Sequence, residues 1–222
     1  SATATSSADC FVLRASTNKW ERFAQPTGTG ASSYENGNAI WVESIGEFVW
    51  WANGNANLRT YNPTTDTWTT HSANLNLTGY KALAVDTTRN VLIVVHSATV
   101  YAVDLTDLDT LITPNTFSGT PPAASTIHGW SYYEPLDAVF NWPGSGTSLN
   151  VLEPPAVGQS LSSGTWTWST MTIDPSNTVT PPSSYASGWT YGRQFVSDTA
   201  KALIVFVDSG DQAQAFALPS TL

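Results

Sequence analysis

The stretch Tyr61-Asn-Pro-Thr-Thr-Asp-Thr-Trp68 decides how this chain is read. Leu58 and Thr60 precede it, and Thr69 and Thr70 follow it. β-Branched and aromatic residues therefore flank a short polar cluster. Asn62-Pro63 opens a turn and Asp66 closes it, the pattern of two strands joined by a tight connection.

Looser versions of this hairpin recur along the chain. Residues 11–20 run from an apolar strand through Thr17-Asn18 to Trp20. A first four-strand unit is predicted over 39–43, 48–52, 58–61 and 67–70. A second is predicted over 81–86, 91–95, 99–103 and 110–113, with 104–109 as its last turn. A third covers 129–134, 138–142, 149–152 and 165–171. A fourth has strands at 193–198, 202–207 and 213–218 and lacks its last strand. Trp20, Trp68 and Trp166 mark fourth strands, separated by 48 and 98 residues, the second gap being two steps of 49. An acid repeats as well: Glu43, Asp86, Glu134 and Asp198 stand four or five residues before each apolar second strand. Units of ~40–50 residues with four strands each are the signature of a β-propeller, in which stacking around an axis buries sheet faces that a lone blade leaves open.

Composition agrees with an all-β chain. Of 222 residues only 11% are charged, ten are Trp, and no window keeps helical apolar spacing. The net charge is −9 and the eight basic residues are scattered, so there is no stripe to hold nucleic acid or an anionic membrane. No apolar run approaches the ~20 residues of a membrane span. Cys10 is alone and can form no internal disulfide; beside Phe11, Val12 and Leu13 it reads as a small buried hydrophobe. Residues 1–8 are small and polar and read as a flexible segment. They lack the basic and apolar regions of a signal peptide. Residues 9–222 read as one propeller domain. Asn76-Leu77-Thr78 is a lone glycosylation sequon.

The Tyr61–Trp68 stretch resembles the third-to-fourth-strand signature of Kelch repeats, the blades of galactose-oxidase-like propellers. Val100-Tyr-Ala-Val-Asp104 and Thr165-Trp166 are partial matches. The double glycine usual after the second strand is absent; Asn53-Gly54, His96-Ser97, Pro143-Gly144 and Ser209-Gly210 stand there. The resemblance implies a divergent Kelch-like propeller and brings no activity with it. Three closures stay open. Residues 19–23 could supply the missing strand beside 213–218, giving four blades; a fifth blade could be incomplete; or the chain could be part of a larger ring.

Chemistry is sparser. The repeated acids could bind a cation or form an acid/base pair, but carboxylates in tight turns ordinarily accept backbone N–H bonds, and a feature present in every blade is usually scaffold. His71, His96 and His128 have no ligand-pair spacing, so neither a metal site nor another cofactor is expected. A galactose-oxidase-like copper site would need a tyrosine linked to a cysteine, and Cys10 lies in an N-terminal strand. No nucleophile elbow or phosphate loop is present, and a hydrolase or lyase is the least favoured role. The stronger lead is aromatic. Fourth-to-first and second-to-third connections share one end of a propeller, and that end should carry Tyr34, Tyr80, Trp130, Trp142, Trp189, Tyr191 and Arg193, with His96 and His128. Such side chains either stack on sugars and anchor protein partners or simply fill the space between blades. The Pro/Ser-rich loop over 175–192 is the strongest single candidate. The expectation is a non-catalytic module, extracellular or virion-associated, that binds a glycan or a protein partner through this end. The alternative is a structural subunit of an extracellular assembly.

Overall fold

The computed structural model describes residues 11–14, 19–22, 38–51, 54–77, 81–122, 129–143, 147–172, 194–205 and 214–219. β1 (Phe11–Arg14) and β2 (Lys19–Arg22) form an antiparallel hairpin that pairs with no other described strand. The first blade is β3 (Asn38–Val42), β4 (Glu47–Trp51), β5 (Gly54–Asn62) and β6 (Thr67–Leu77). The second is β7 (Ala82–Asp86), β8 (Val91–His96), β9 (Thr99–Asp104) and β10 (Asp107–Ile112). β11 (Thr116–Ser118) follows and belongs to the next sheet. The third blade is β12 (Ser131–Tyr133), β13 (Ala138–Asn141), β14 (Ser148–Glu153) and β15 (Thr165–Thr172). The fourth has β16 (Gln194–Ser197), β17 (Ala202–Val205) and β18 (Gln214–Ala217). Each blade is an antiparallel meander, and the four sheets stand in a ring as a four-bladed β-propeller.

The Tyr61–Trp68 hairpin forms as its residues dictate. Asn62 Oδ1 accepts the N–H groups of Thr64 and Thr65, and the Tyr61 hydroxyl donates to Asp66. Asp66 adopts a left-handed φ of 53°, which a short polar side chain tolerates. Tyr61 pairs directly with Trp68, and the two rings lie 5.0 Å apart.

The four first hairpins share a device that sets their register. Gly46, Asn90, Asp137 and Lys201, each immediately before a second strand, all have positive φ, 66°, 54°, 48° and 47°. Gly, Asn and Asp enter this region at low cost; Lys201 is the exception. Counting back from these residues corrects the acid repeat. Glu43, Thr87, Glu134 and Asp198 are equivalent, and Asp86 stands one place earlier, at the position held by Val42, Tyr133 and Ser197 in the other blades.

Three apolar cores lie between blades. Val42, Val49, Trp51 and Leu58 meet Leu83, Leu92, Val94 and Val103 between the first and second. Ala84, Ile93 and Val95 meet Trp130, Leu152, Trp166 and Trp168 between the second and third. Phe140, Trp142 and Val151 meet Leu203, Val205 and Phe216 between the third and fourth. No such cluster of the described residues bridges the fourth blade and the first.

Three expectations change. Among the described residues, 19–22 do not complete the fourth blade: β2 pairs with β1, Leu13 opposite Trp20, and β18 is the outer of that blade's three described strands. The last turn of the second blade is Leu105-Thr106 rather than 104–109, because Asp104 Oδ1 accepts both the N–H and the hydroxyl of Thr106 and turns the chain at once. The third blade gains a fifth strand, β11, parallel to β15 with Phe117 opposite Trp166. Gly119 follows it at φ 75°, where a Cβ would stand 1.9 Å from the Trp168 carbonyl oxygen; only glycine permits that approach.

Candidate functional site

The first strands β3, β7, β12 and β16 are the inner sheet edges, and neighbouring ones approach one another, β3 to β7, β7 to β12 and β12 to β16. The shared hairpin register aligns their side chains in rows: Ala39, Leu83, Trp130 and Gln194 form one, and Ile40, Ala84, Ser131 and Phe195 the next. Between these strands lies a cavity of about 280 Å³, bounded also by Asn38, Val85, Tyr132 and Val196. That is far more than the ~10–15 Å³ a single water needs.

Hydrogen bonds fix the wall between the third and fourth blades. Gln194 donates through Nε2 to the carbonyls of Gly129 and Phe140, and its Oε1 accepts the Trp142 N–H. Asn141 donates to the Gly129 carbonyl at 2.7 Å and accepts from Asn150 at 2.8 Å. The Ser131 hydroxyl donates to the Gln194 carbonyl at 3.2 Å. Gln194 and Asn141 are buried, and these bonds offset the cost of taking their amides out of water.

The described residues of the cavity wall carry no formal charge: none of those twelve is Asp, Glu, Lys, Arg or His. Its one phenol is tied up. The Tyr132 hydroxyl donates to Asp137 Oδ1 at 2.8 Å and accepts from Thr88 at 2.7 Å, and burial first, with the neighbouring carboxylates, holds its pKa above the ordinary value. Phe195 is 44% exposed and offers an accessible aromatic surface there, while Asn38 contributes an amide. Lys81, immediately before β7, is buried, and burial lowers its pKa to about 8.

The repeated acids serve the scaffold in different ways. Asp86 accepts the Arg89 N–H and Nη1 at 2.9 and 2.8 Å. Arg89 also grips Asp137 and donates from Nε to the Pro155 carbonyl. Glu134 accepts from Thr87 at 2.9 Å, another link between the second and third blades. Glu43 accepts the Trp41 indole N–H at 2.6 Å.

Of the aromatic and basic residues expected at the binding end, Trp189, Tyr191, Arg193, His128, Tyr80 and Tyr34 lie outside the described residues. Trp130 reaches the cavity wall but is only 6% exposed, its ring 5.7 Å from Trp168. Trp142 is a correction. It is fully buried, 5.5 Å from Phe216, and fills the joint between blades rather than facing a ligand. His96, at the end of β8, is half-buried and does not line the cavity. Sequence reasoning passed over Phe195, Tyr132 and Asn38. The available signal was the alignment of first strands, because the same register that gives the blades gives the axial rows. No group of three or more His, Cys, Asp or Glu among the described residues could hold a metal ion, and no helix among them is long and apolar enough to cross a membrane.

No family model and no curated protein matches the sequence. Among solved structures, similarity is found to the dihydro-haem d1 dehydrogenase NirN in complex with DHE, at 10% identity and a TM-score of 0.46, over 80% of this chain and 34% of that one. The chain thus spans about a third of that protein's length. A chain of the mitotic checkpoint complex is similar at 10% identity and a TM-score of 0.39, over 95% of this chain and 81% of that one. At these values neither neighbour bears on function.

Proposed function

We propose that this protein is a non-catalytic binding module, a divergent Kelch-like propeller acting outside the cell or on a virion, which seats a neutral sugar unit of a glycan in its axial cavity. The observation that carries this reading is that the described residues of the cavity wall are uncharged and include exposed aromatic surface. The apolar C–H face of a sugar suits the exposed ring of Phe195, and its hydroxyls suit the Asn38 amide. The volume of about 280 Å³ falls just below the ~300–1,000 Å³ of pockets for drug-sized ligands, and so suits a small terminal unit. A charged ligand would meet no counter-charge among the described residues of this wall, at a high desolvation cost.

A glycan array followed by titration calorimetry tests the reading. The wild-type chain should bind a neutral glycan, and Phe195→Ser should weaken binding at least tenfold with an unchanged melting temperature. A blank array, or binding indifferent to Phe195→Ser, removes the proposal. A second reading, a protein partner or a place in an extracellular assembly, is favoured by a separate observation. β11 is a three-residue outer strand whose Phe117 is 40% exposed, and an open edge of this kind can accept a strand from a neighbour.

A further inference from the structure

The described residues of the axial cavity divide by chemistry from blade to blade. Those from the first and second blades are Asn38 and five aliphatic residues, Ala39, Ile40, Leu83, Ala84 and Val85. Those from the third and fourth blades include polar groups, but their hydrogen bonds are largely spent. The Gln194 amide is used on both its nitrogen and its oxygen, and the Tyr132 hydroxyl both donates and accepts. The Ser131 hydroxyl donates to the Gln194 carbonyl and keeps acceptor capacity alone, while the Trp130 indole can only donate. Asn38 differs from all of them. It is half-buried, and among the described residues its carboxamide has no hydrogen-bond partner. No other side chain of the described wall offers both a donor and an acceptor.

The surroundings of this amide are specific. β3 and β7 approach each other, and Ile40 and Val85 both pack against the core between the first and second blades, to which Val42 and Leu83 belong. Strand alternation puts Asn38 on the same face of β3 as Ile40, and Leu83 on the same face of β7 as Val85. Asn38 and Ile40 are therefore neighbours roughly 7 Å apart along one strand. At this joint the cavity offers a donor and an acceptor at one point and aliphatic surface beside it. A sugar hydroxyl matches only the first. An acetamido group matches both: its N–H and C=O complement a carboxamide, and its methyl group covers aliphatic side chains that a hydroxyl would leave against water.

We infer that the sugar unit seated in the cavity is an N-acetylhexosamine, with its acetamido group paired to the Asn38 carboxamide and its methyl group laid on Ile40 and Val85. This rests on the glycan-binding reading above and narrows it to one class of sugar.

The test uses the full chain and free sugars, with affinities read from protein-observed NMR titrations. N-Acetylglucosamine or N-acetylgalactosamine should bind at least about tenfold more tightly than its parent, glucose or galactose. The N-formyl analogue of the preferred sugar keeps the amide and loses the methyl group, and should bind about fourfold more weakly, the worth of one buried methyl group. Asn38→Leu, similar in size, should abolish the preference for the acetylated sugar with an unchanged melting temperature. The sugar comparisons need no substitution, so they decide the matter even where that variant fails to fold. Equal affinity for acetylated and parent sugars, or a preference untouched by Asn38→Leu, overturns this inference and leaves the glycan-binding reading standing. A chain that binds none of these sugars and no neutral glycan on an array overturns both.

Discussion

Arg89 and Asp137 form a two-pronged ion pair across the joint between the second and third blades, Nη1 to Oδ1 at 2.6 Å and Nη2 to Oδ2 at 2.7 Å. Arg89 is nearly buried and Asp86 beneath it fully so, which makes the guanidinium the partner of an enclosed carboxylate as well as a bridge. Arg89→Met keeps the stem and removes the charge. It should lower stability by ~3 kcal/mol, toward the low end for breaking a buried pair because Asp137 is partly solvated. The urea midpoint of unfolding measures it, and a loss below ~1 kcal/mol would show the clasp to be ornamental.

The same pair sets an acid limit. Hydrogen bonding from Arg89 holds the Asp137 carboxyl below its ordinary pKa, and the Tyr132 hydroxyl adds to this against the opposing effect of burial. A depressed native pKa contributes stability above the unfolded value of ~3.9, and that contribution is lost as pH falls through the native value. Asp137→Asn keeps a residue suited to the left-handed φ and removes the titration. The variant should melt below the wild type at pH 7, and the gap should close from pH ~5 toward ~2. A gap of constant size across that range contradicts the assignment.

Gly119 separates β11 from the rest of its blade in a way that can be measured. Alanine there meets the Trp168 carbonyl and carries an unfavourable φ, which costs about 1–2 kcal/mol before any shift. Gly119→Ala should release β11 and leave β12 to β15 paired. Hydrogen exchange should rise at Thr116–Ser118 alone; a change spread across the blade would mean that β11 is integral to it.

Trp142 distinguishes packing from binding. As a fully buried ring against Phe216, it should cost 3–5 kcal/mol when cut to alanine, by the usual scale for large aromatic truncations. A ligand-facing tryptophan would cost far less. Thermal unfolding of Trp142→Ala decides between them.

The blades were legible because their signals are local. Turn residues such as Asn62 and Asp66 act on their own neighbours, and the alternation of Val49, Trp51 and Leu58 states which face is inward. β11 was not legible: Thr-Phe-Ser is too short to show a period, and its parallel partner lies some fifty residues on. Nor could the sequence tell that Trp142 fills a joint, since an aromatic at a strand end suits either role. Gln194 and Asn141 look like surface residues until Gly129, Phe140 and Asn150 supply their partners from other strands. The axial cavity is the product of four strands far apart in the chain, and the uncharged character of its described residues appears only when their rows are superimposed.

β11 has a mechanical consequence. It belongs to the linker between the second and third blades but is stitched along the outside of the third, running the same way as β15. Tension drawn through that linker therefore loads its hydrogen bonds in shear, all together, rather than one at a time as in a peeled hairpin. The joint between these two blades, already clamped by Arg89, should be among the last to part under load, and the seam between the fourth blade and the first among the earliest.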